Sequence, residues 1–316
     1  MSSNEKACHI TSIGGQAVIE GVMMRGPKET ATAVRKSDGS IVIDKKPVSS
    51  FVTKYKLNKI PIVRGVFSFV DSLVTGMKCL MFSADQMDLE EDEAYQNSKF
   101  EDWLERKFGD KIKDIAIYFA VFVSIIFSVG LFMLLPNLLA TVVAMFVKSR
   151  VVLNFAEGLI RMGIFLTYLL LVSRMKDIQR VFEYHGAEHK TIATYESGAE
   201  LTVENARGHS RHHPRCGTRF LLIVMVVSIV IFSFLRWGAM WQNIVTRLAL
   251  MPVVAGISYE IIKFAGKSKL SCVKILTKPG LWLQKITTRE PDDSQLEVAI
   301  ASLKAVLTDN KEDDKW

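Results

Sequence analysis

Four blocks of apolar residues constrain this chain more than any other feature: Ile115–Val147, Val151–Val172, Phe220–Leu235 and Leu248–Phe264. Crossing the hydrocarbon core of a bilayer takes roughly 20 apolar residues in a helix. Three blocks are near that length. The first exceeds it and carries Pro136-Asn137 inside it, which reads as a span that breaks there, followed by an interfacial stretch over Leu138–Val147. The expected fold class is an α-helical membrane protein of about four transmembrane helices with a small N-terminal α+β cytoplasmic domain.

Charge sets the expected sides. Lys and Arg crowd the flank up to Lys113, the Arg174–Arg219 loop and the segment beyond Lys263, whereas the other connections carry only Lys148, Arg150, Arg236 and Arg247 at their edges. By the positive-inside rule both termini and the long loop face the cytoplasm. Met1–Lys6 is polar and no apolar signal core follows, so the first span is expected to insert as an internal anchor. The net charge of +7 is accounted for by this bias. No basic stripe with aromatic platforms points to nucleic acid, and the lipid bilayer is the one partner the sequence names, with no protein partner indicated. Cys8, Cys79, Cys216 and Cys272 all fall on the reducing side, where disulfides are not expected.

The expected organisation is an N-terminal domain over 1–84, an acidic linker and amphipathic helix over 85–113, a membrane domain over 114–265 holding the loop 174–219, and a C-terminal tail over 266–316. Within the first, Ala17–Met24, Thr30–Arg35 and Ile41–Lys45 read as β-runs. Asp38-Gly39 between the last two is a hairpin signal, because tight turns need the positive φ that glycine supplies. From Val63 to Leu80 apolar residues recur at helical spacing, predicting a helix that packs on the sheet or lies on the membrane surface. Asp85–Glu93 reads as a linker and Lys99–Lys113 as a charged amphipathic helix. Asp292 is placed to cap a helix over Gln295–Leu307, and the polar stretch Asp309–Trp316 is expected to fray.

Chemistry concentrates in Glu183–Lys190 and its downstream partner. His185 and His189 are four residues apart, hence one turn apart on one helix face, as two ligands of one metal must be. Glu188 completes H-x-x-E-H, the order in which two histidines hold zinc and the glutamate acts as general base. Downstream, His213 and Cys216 add an imidazole and a thiol at the spacing of zinc knuckles. The expected metal set is His185, His189, His213 and Cys216, the expected metal Zn²⁺, and the expected catalytic residue Glu188. Four protein ligands would make a closed structural site; three would leave a position for catalysis. Glu183, Glu196 and Glu204 are acidic neighbours able to orient the imidazoles, and His209 and His212 read as part of an exposed basic face. Two readings stay open: a zinc-dependent membrane hydrolase of undetermined substrate, and a scaffold or regulator folded by structural zinc.

Glu157 and Arg161 lie one turn apart within an apolar block and are expected to pair. Glu260 either faces the site or pairs with Lys263 or Lys267. The run Gly14–Pro27 places glycines around Glu20 and Arg25, read as glycines for β-turns.

The runs Gly14–Pro27, Glu183–Lys190, Leu201–Asn205 with His213–Thr218, and Pro279–Gln284 with Thr288–Asp293 together resemble the bacterial YqhQ-like family, membrane proteins described as metal-dependent enzymes. That resemblance spans nearly the whole chain. It implies a bacterial cytoplasmic membrane location and a metal site at His185, His189, His213 and Cys216, and it implies no substrate. One departure is Arg219, where the family carries a small serine.

Overall fold

The computed structural model describes residues 9–48, 60–87, 112–213, 215–235, 239–267, 271–308, 310 and 312–315. Cys8, most of the acidic run and all but the end of the predicted amphipathic helix over Lys99–Lys113 lie outside them. The chain divides into two compact units. One gathers 1–87, 168–227 and 250–316; the other holds 88–167 and 228–249.

The first unit opens with an antiparallel sheet in sequence order: β1 (Gly14–Val18), β2 (Gly21–Arg25), β3 (Glu29–Arg35) and β4 (Ile41–Pro47). The run Ala17–Met24 is therefore two strands. The chain reverses at Ile19-Glu20, where Val18 pairs with Gly21 and Glu20 takes φ 49°. That strained turn is held from outside, because Arg180 forks onto the Glu20 carboxylate and Tyr184 donates its hydroxyl to it. The Asp38-Gly39 hairpin forms as predicted, with Gly39 at φ 84° and Arg35 facing Ile41.

Alternation along the strands sends side chains to two cores. Val22, Met24, Ala31 and Ala33 face the larger one. Val18, Met23 and Val34 face α1 (Val63–Asp85), meeting Cys79 and Phe82. The helix packs on the sheet, but through Gly76, Cys79 and Phe82 rather than through the predicted stripe. Its other face, with Val70, Leu73, Val74 and Met77, remains exposed.

The second unit begins with α2 (Ile112–Val129), which runs through a π-turn at Gly130–Leu134 into α3 (Leu135–Ala144). Pro136 does not end the helix as expected. A proline inside a helix withdraws the N–H that would reach the carbonyl four residues back, here that of Phe132. That oxygen instead accepts from Arg161 Nε at 3.0 Å, and the wider turn lets Leu135 N reach Gly130 O. Arg161 comes from α4 (Arg150–Val172) and also donates to Glu157 at 2.8 Å. Arg247 joins the same carboxylate with both terminal nitrogens, one at 2.5 Å. The predicted Glu157–Arg161 pair is thus a triad.

Returning to the first unit, α5 (Lys176–Ser197) ends on Gly198 in the left-handed region, φ 79°, a common C-terminal stop. Then follow α6 (Val203–Arg207), α7 (Thr218–Ser233), α8 (Met240–Lys267), α9 (Ser271–Thr287) and α10 (Asp293–Val306). The Asp292 cap is present with its reciprocal Gln295 bond. Leu296, Ala299 and Leu303 of α10 close the larger core against the sheet, and Tyr184, Ala187 and Ile192 of α5 complete it. The terminal stretch expected to fray is pinned: Asp314 is buried, accepting from Thr11 Oγ1 at 2.9 Å and lying 2.6 Å from His9 Nε2.

Among the described residues, four helices are long and apolar enough to cross a membrane: Val63–Asp85, Phe119–Ala144, Arg150–Val172 and Trp241–Ala265. The number matches the expectation but the membership does not. The Phe220–Leu235 block forms α7, apolar but only 16 residues long, about 24 Å at 1.5 Å per residue. α1 takes its place by length and composition.

Candidate metal centre

α5 carries the centre and is buried along most of its second half, from Tyr184 to Glu196. Burial makes its polar groups accountable, since a buried donor or acceptor without a partner is costly. Two glycines permit the close approaches that supply partners. A Cβ on Gly186 would overlap the carbonyl oxygen of Arg289, so only glycine lets the α9–α10 connection press onto α5. That contact brings Arg289 N to Phe182 O at 2.8 Å. It also brings the carbonyl of Thr287 to 2.8 Å from His185 Nδ1.

A carbonyl can only accept, so the His185 proton sits on Nδ1 and Nε2 offers a lone pair. The same holds for His189, whose Nδ1 donates to Arg211 O at 2.6 Å. Both imidazoles are thereby turned with Nε2 toward the same place. His185 Nε2 stands 3.2 Å from Cys216 Sγ, and His189 Nε2 is buried with no hydrogen-bond partner. One ring nitrogen of each histidine and the sulfur all lie within 4.8 Å of one another. For comparison, tetrahedral zinc with Zn–N of about 2.0–2.1 Å and Zn–S of about 2.3 Å separates its N and S ligands by about 3.5 Å. Thr218 N points at Cys216 Sγ from 3.4 Å, a donor that favours the thiolate.

Glu188 sits at the edge of this triad. Its Oε2 is 3.9 Å from His185 Nε2, and its Oε1 accepts from Gly15 N at 3.0 Å. Burial raises its pKa above the ordinary carboxylate value, against the opposing pull of His185 and the Gly15 N–H. Gly15 is not a turn residue, as read from sequence, but lies within β1. A Cβ there would fall 2.5 Å from Met23 O and 3.1 Å from Glu188 Cγ. Its lack of a side chain admits the carboxylate.

His213 falls outside the triad, although its ring centroid is 5.7 Å from that of His189. Its Nε2 faces Glu196 Oε2 at 3.4 Å, and its backbone N and O are both held by the Gln284 amide at 2.9 Å. Burial lowers the His213 pKa, partly offset by Glu196. Glu196 also takes Arg215 and the Thr11 N–H. Burial works against its charge, but His213, Arg215 and Thr11 outweigh it and hold the carboxyl below its ordinary value. Of the other sequence candidates, Glu183 accepts from Gln295, Glu204 opens α6 on the surface, and Glu260 pairs with Arg64. His209 reaches Ser197 Oγ at 3.4 Å, while His212 has a second buried nitrogen without a partner, Nε2.

Sequence reasoning missed Gly15, Gly186, Gln284 and the carbonyls of Thr287 and Arg211. Only the glycines left a local signal. Cys216 of the triad, Glu188 and His213 border a cavity of about 500 Å³ lined also by Ile13, Met23, Ile192 and Arg25.

A family model described as "Protein of unknown function (DUF1385)" matches residues 60–309. The chain is similar to "Uncharacterized protein YqhQ" of Bacillus subtilis (strain 168), 36% identical over 297 residues, covering 93% of this chain and 92% of that one. No solved structure matches it.

Proposed function

The chain belongs to the DUF1385 family, and from that premise we propose that it is a multi-pass membrane protein acting as a zinc-dependent hydrolase. His185, His189 and Cys216 would hold the metal and Glu188 would serve as general base. The observation that carries the reading is His189 Nε2: a buried nitrogen with no partner, fixed by its own Nδ1 bond to face another imidazole nitrogen and a sulfur. An orphaned buried acceptor costs free energy unless something unseen satisfies it. Two imidazoles anchored on carbonyls are the outer arrangement that metal-ligating histidines ordinarily show.

Zinc held this way supplies Lewis acidity and eases deprotonation of water at neutral pH. The protein groups do the rest. Glu188 Oε2 accepts the proton of a water entering from the cavity, and its raised pKa brings it closer to neutrality, where such a base works best. The same oxygen returns the proton to the leaving group, so the carboxylate is regenerated. Gly15 N holds Oε1 throughout and fixes which oxygen is free. Three ligands fit a catalytic site better than a closed one, and the engagement of His213 with Glu196 supports three. The charge bias of the loops supports a cytoplasmic-membrane location with both termini on the cytoplasmic side.

Elemental analysis of detergent-purified protein tests the centre. The expected result is about one zinc per chain, lost in His189→Ala and Cys216→Ser and kept in His213→Ala and Glu188→Gln. Absence of stoichiometric metal from the wild-type protein overturns the proposal. Zinc lost from His213→Ala with folding intact would shift it to the structural reading.

A further inference from the structure

Three cavities follow one another along α1, all within the first compact unit. The cavity at Glu188 and Cys216 shares Arg25 and Thr75 with a second of about 320 Å³. That one shares Lys46, Val74 and Lys78 with a third, open groove of about 640 Å³. The character of the walls changes along this line. At the first cavity stand the polar groups of the candidate centre. The middle cavity carries three cations (Arg25, Lys46, Lys78) against two carboxylates (Asp44, Asp71); Arg25 is committed to Asp71 at 2.7 Å and Lys46 to Asp44 at 2.6 Å, so Lys78 is the cation in excess. The groove beyond is built chiefly from Leu73, Val74, Met77, Met81 and Phe82, of which Leu73 is 57% and Met77 50% exposed.

The setting of α1 says what medium this groove meets. Gly65 lies against Gly256 and Tyr259 of α8, so closely that a Cβ would fall 2.8 Å from Tyr259 Cβ. Arg64 forks onto Glu260 one turn further along α8. α1 thus starts against a helix that is apolar enough to span a membrane. At Gly76, which takes the Gln16 amide on its carbonyl, it meets the sheet. Seated on the sheet by one face, α1 leaves its apolar face, with Leu73 and Met77, free to meet lipid.

Resting on the hydrolase reading, we propose that the substrate is an anionic lipid taken directly from the bilayer surface. Its acyl chains lie in the Leu73–Phe82 groove, its acidic group beside Lys78 and Lys46 in the middle cavity, which holds one cation in excess, and the polar group bearing the scissile bond beside Glu188. The order of surfaces along α1, apolar then cationic then polar, is the order of such a molecule from tail to head. It is what distinguishes this occupant from a soluble metabolite, which would have no use for the groove, and from an apolar partner helix, which would have no use for the cations.

The test is photolabelling of the detergent-purified full chain with a phosphatidic acid carrying a diazirine on its palmitoyl chain, followed by peptide mapping. Label is expected in the peptide spanning Leu73–Phe82. It should fall sharply in Met77→Asp, an exposed position that tolerates the change. Lys46→Gln and Lys78→Gln should each reduce it, about fivefold per basic residue removed, and a phosphatidylcholine probe of the same chain should label weakly. Zinc content is measured on the same samples and should not change. Label spread evenly over the apolar helices, or indifferent to Met77→Asp and to both lysine changes, overturns the lipid groove while leaving the metal reading standing. Groove labelling by a protein that holds no zinc overturns the hydrolase reading and, with it, the assignment of this lipid as a substrate.

Discussion

At the scale of single residues, much of the candidate centre is decided by what is missing from glycine. Gly186→Ala places a methyl group against the Arg289 carbonyl, so the α9–α10 connection must retreat and take Thr287 O away from His185 Nδ1. The expected outcome is loss of zinc retention in dialysis and a lower melting temperature in detergent, equivalent to about 1–3 kcal/mol. Gly15→Ala presses on Glu188 from the other side and is expected to spare zinc content while lowering stability. Glu196 gives a pH signature. Its folded pKa is lowered, so the stability it contributes is complete above the unfolded carboxylate value of about 4.3. That contribution is lost as pH falls through the lower folded value. Thermal melts taken stepwise into acid should show a flatter acid limb for Glu196→Gln; a limb identical to wild type would show that Glu196 contributes nothing. That His185 and His189 share one face of a helix was legible because one helical turn is a local spacing; that His213 meets Glu196 was not, because Glu196 lies on another element and no local spacing encodes it.

At the scale of elements, the Pro136 helix shows how a local rule yields to a neighbour. The sequence rule reads a break at Pro136, yet the helix continues because Arg161 accepts the task of the absent N–H. Arg161→Met should remove this donor from the Phe132 carbonyl and from Glu157, both in an apolar setting, and cost about 1–3 kcal/mol. Pro136→Ala restores the N–H, so the two changes together should cost less than their sum. Strict additivity, measured by denaturation in detergent, would sink this account. The hairpin at Asp38-Gly39 and the cap at Asp292 were readable because every participant lies within a few residues. The split of Ala17–Met24 at Glu20 was not, since the groups that hold that turn, Arg180 and Tyr184, belong to α5. The stripe of α1 was readable as a helix, but length and composition could not say whether sheet, lipid or both would receive it.

At the scale of the whole molecule, the unit holding the candidate centre is assembled from three stretches of chain separated by apolar helices. The inner face of the sheet, with Val22, Met24, Ala31 and Ala33, is covered by α10, some 270 residues later in the chain. A chain ending before α10 should therefore leave that face bare, and limited proteolysis is expected to cleave within 9–48 far faster than in the full-length protein. Equal resistance would mean the sheet folds alone. The discontinuity also imposes an order in time. Contacts so distant in sequence form late, because the loop between them must first be closed. Here the loop contains helices long and apolar enough to cross a membrane. On the proposed function their insertion would precede closure of the sheet by α10, and a molecule whose helices had gone in wrongly would keep its first unit open. Metal capture would then report on correct biogenesis, and misassembled copies would carry no finished hydrolytic centre.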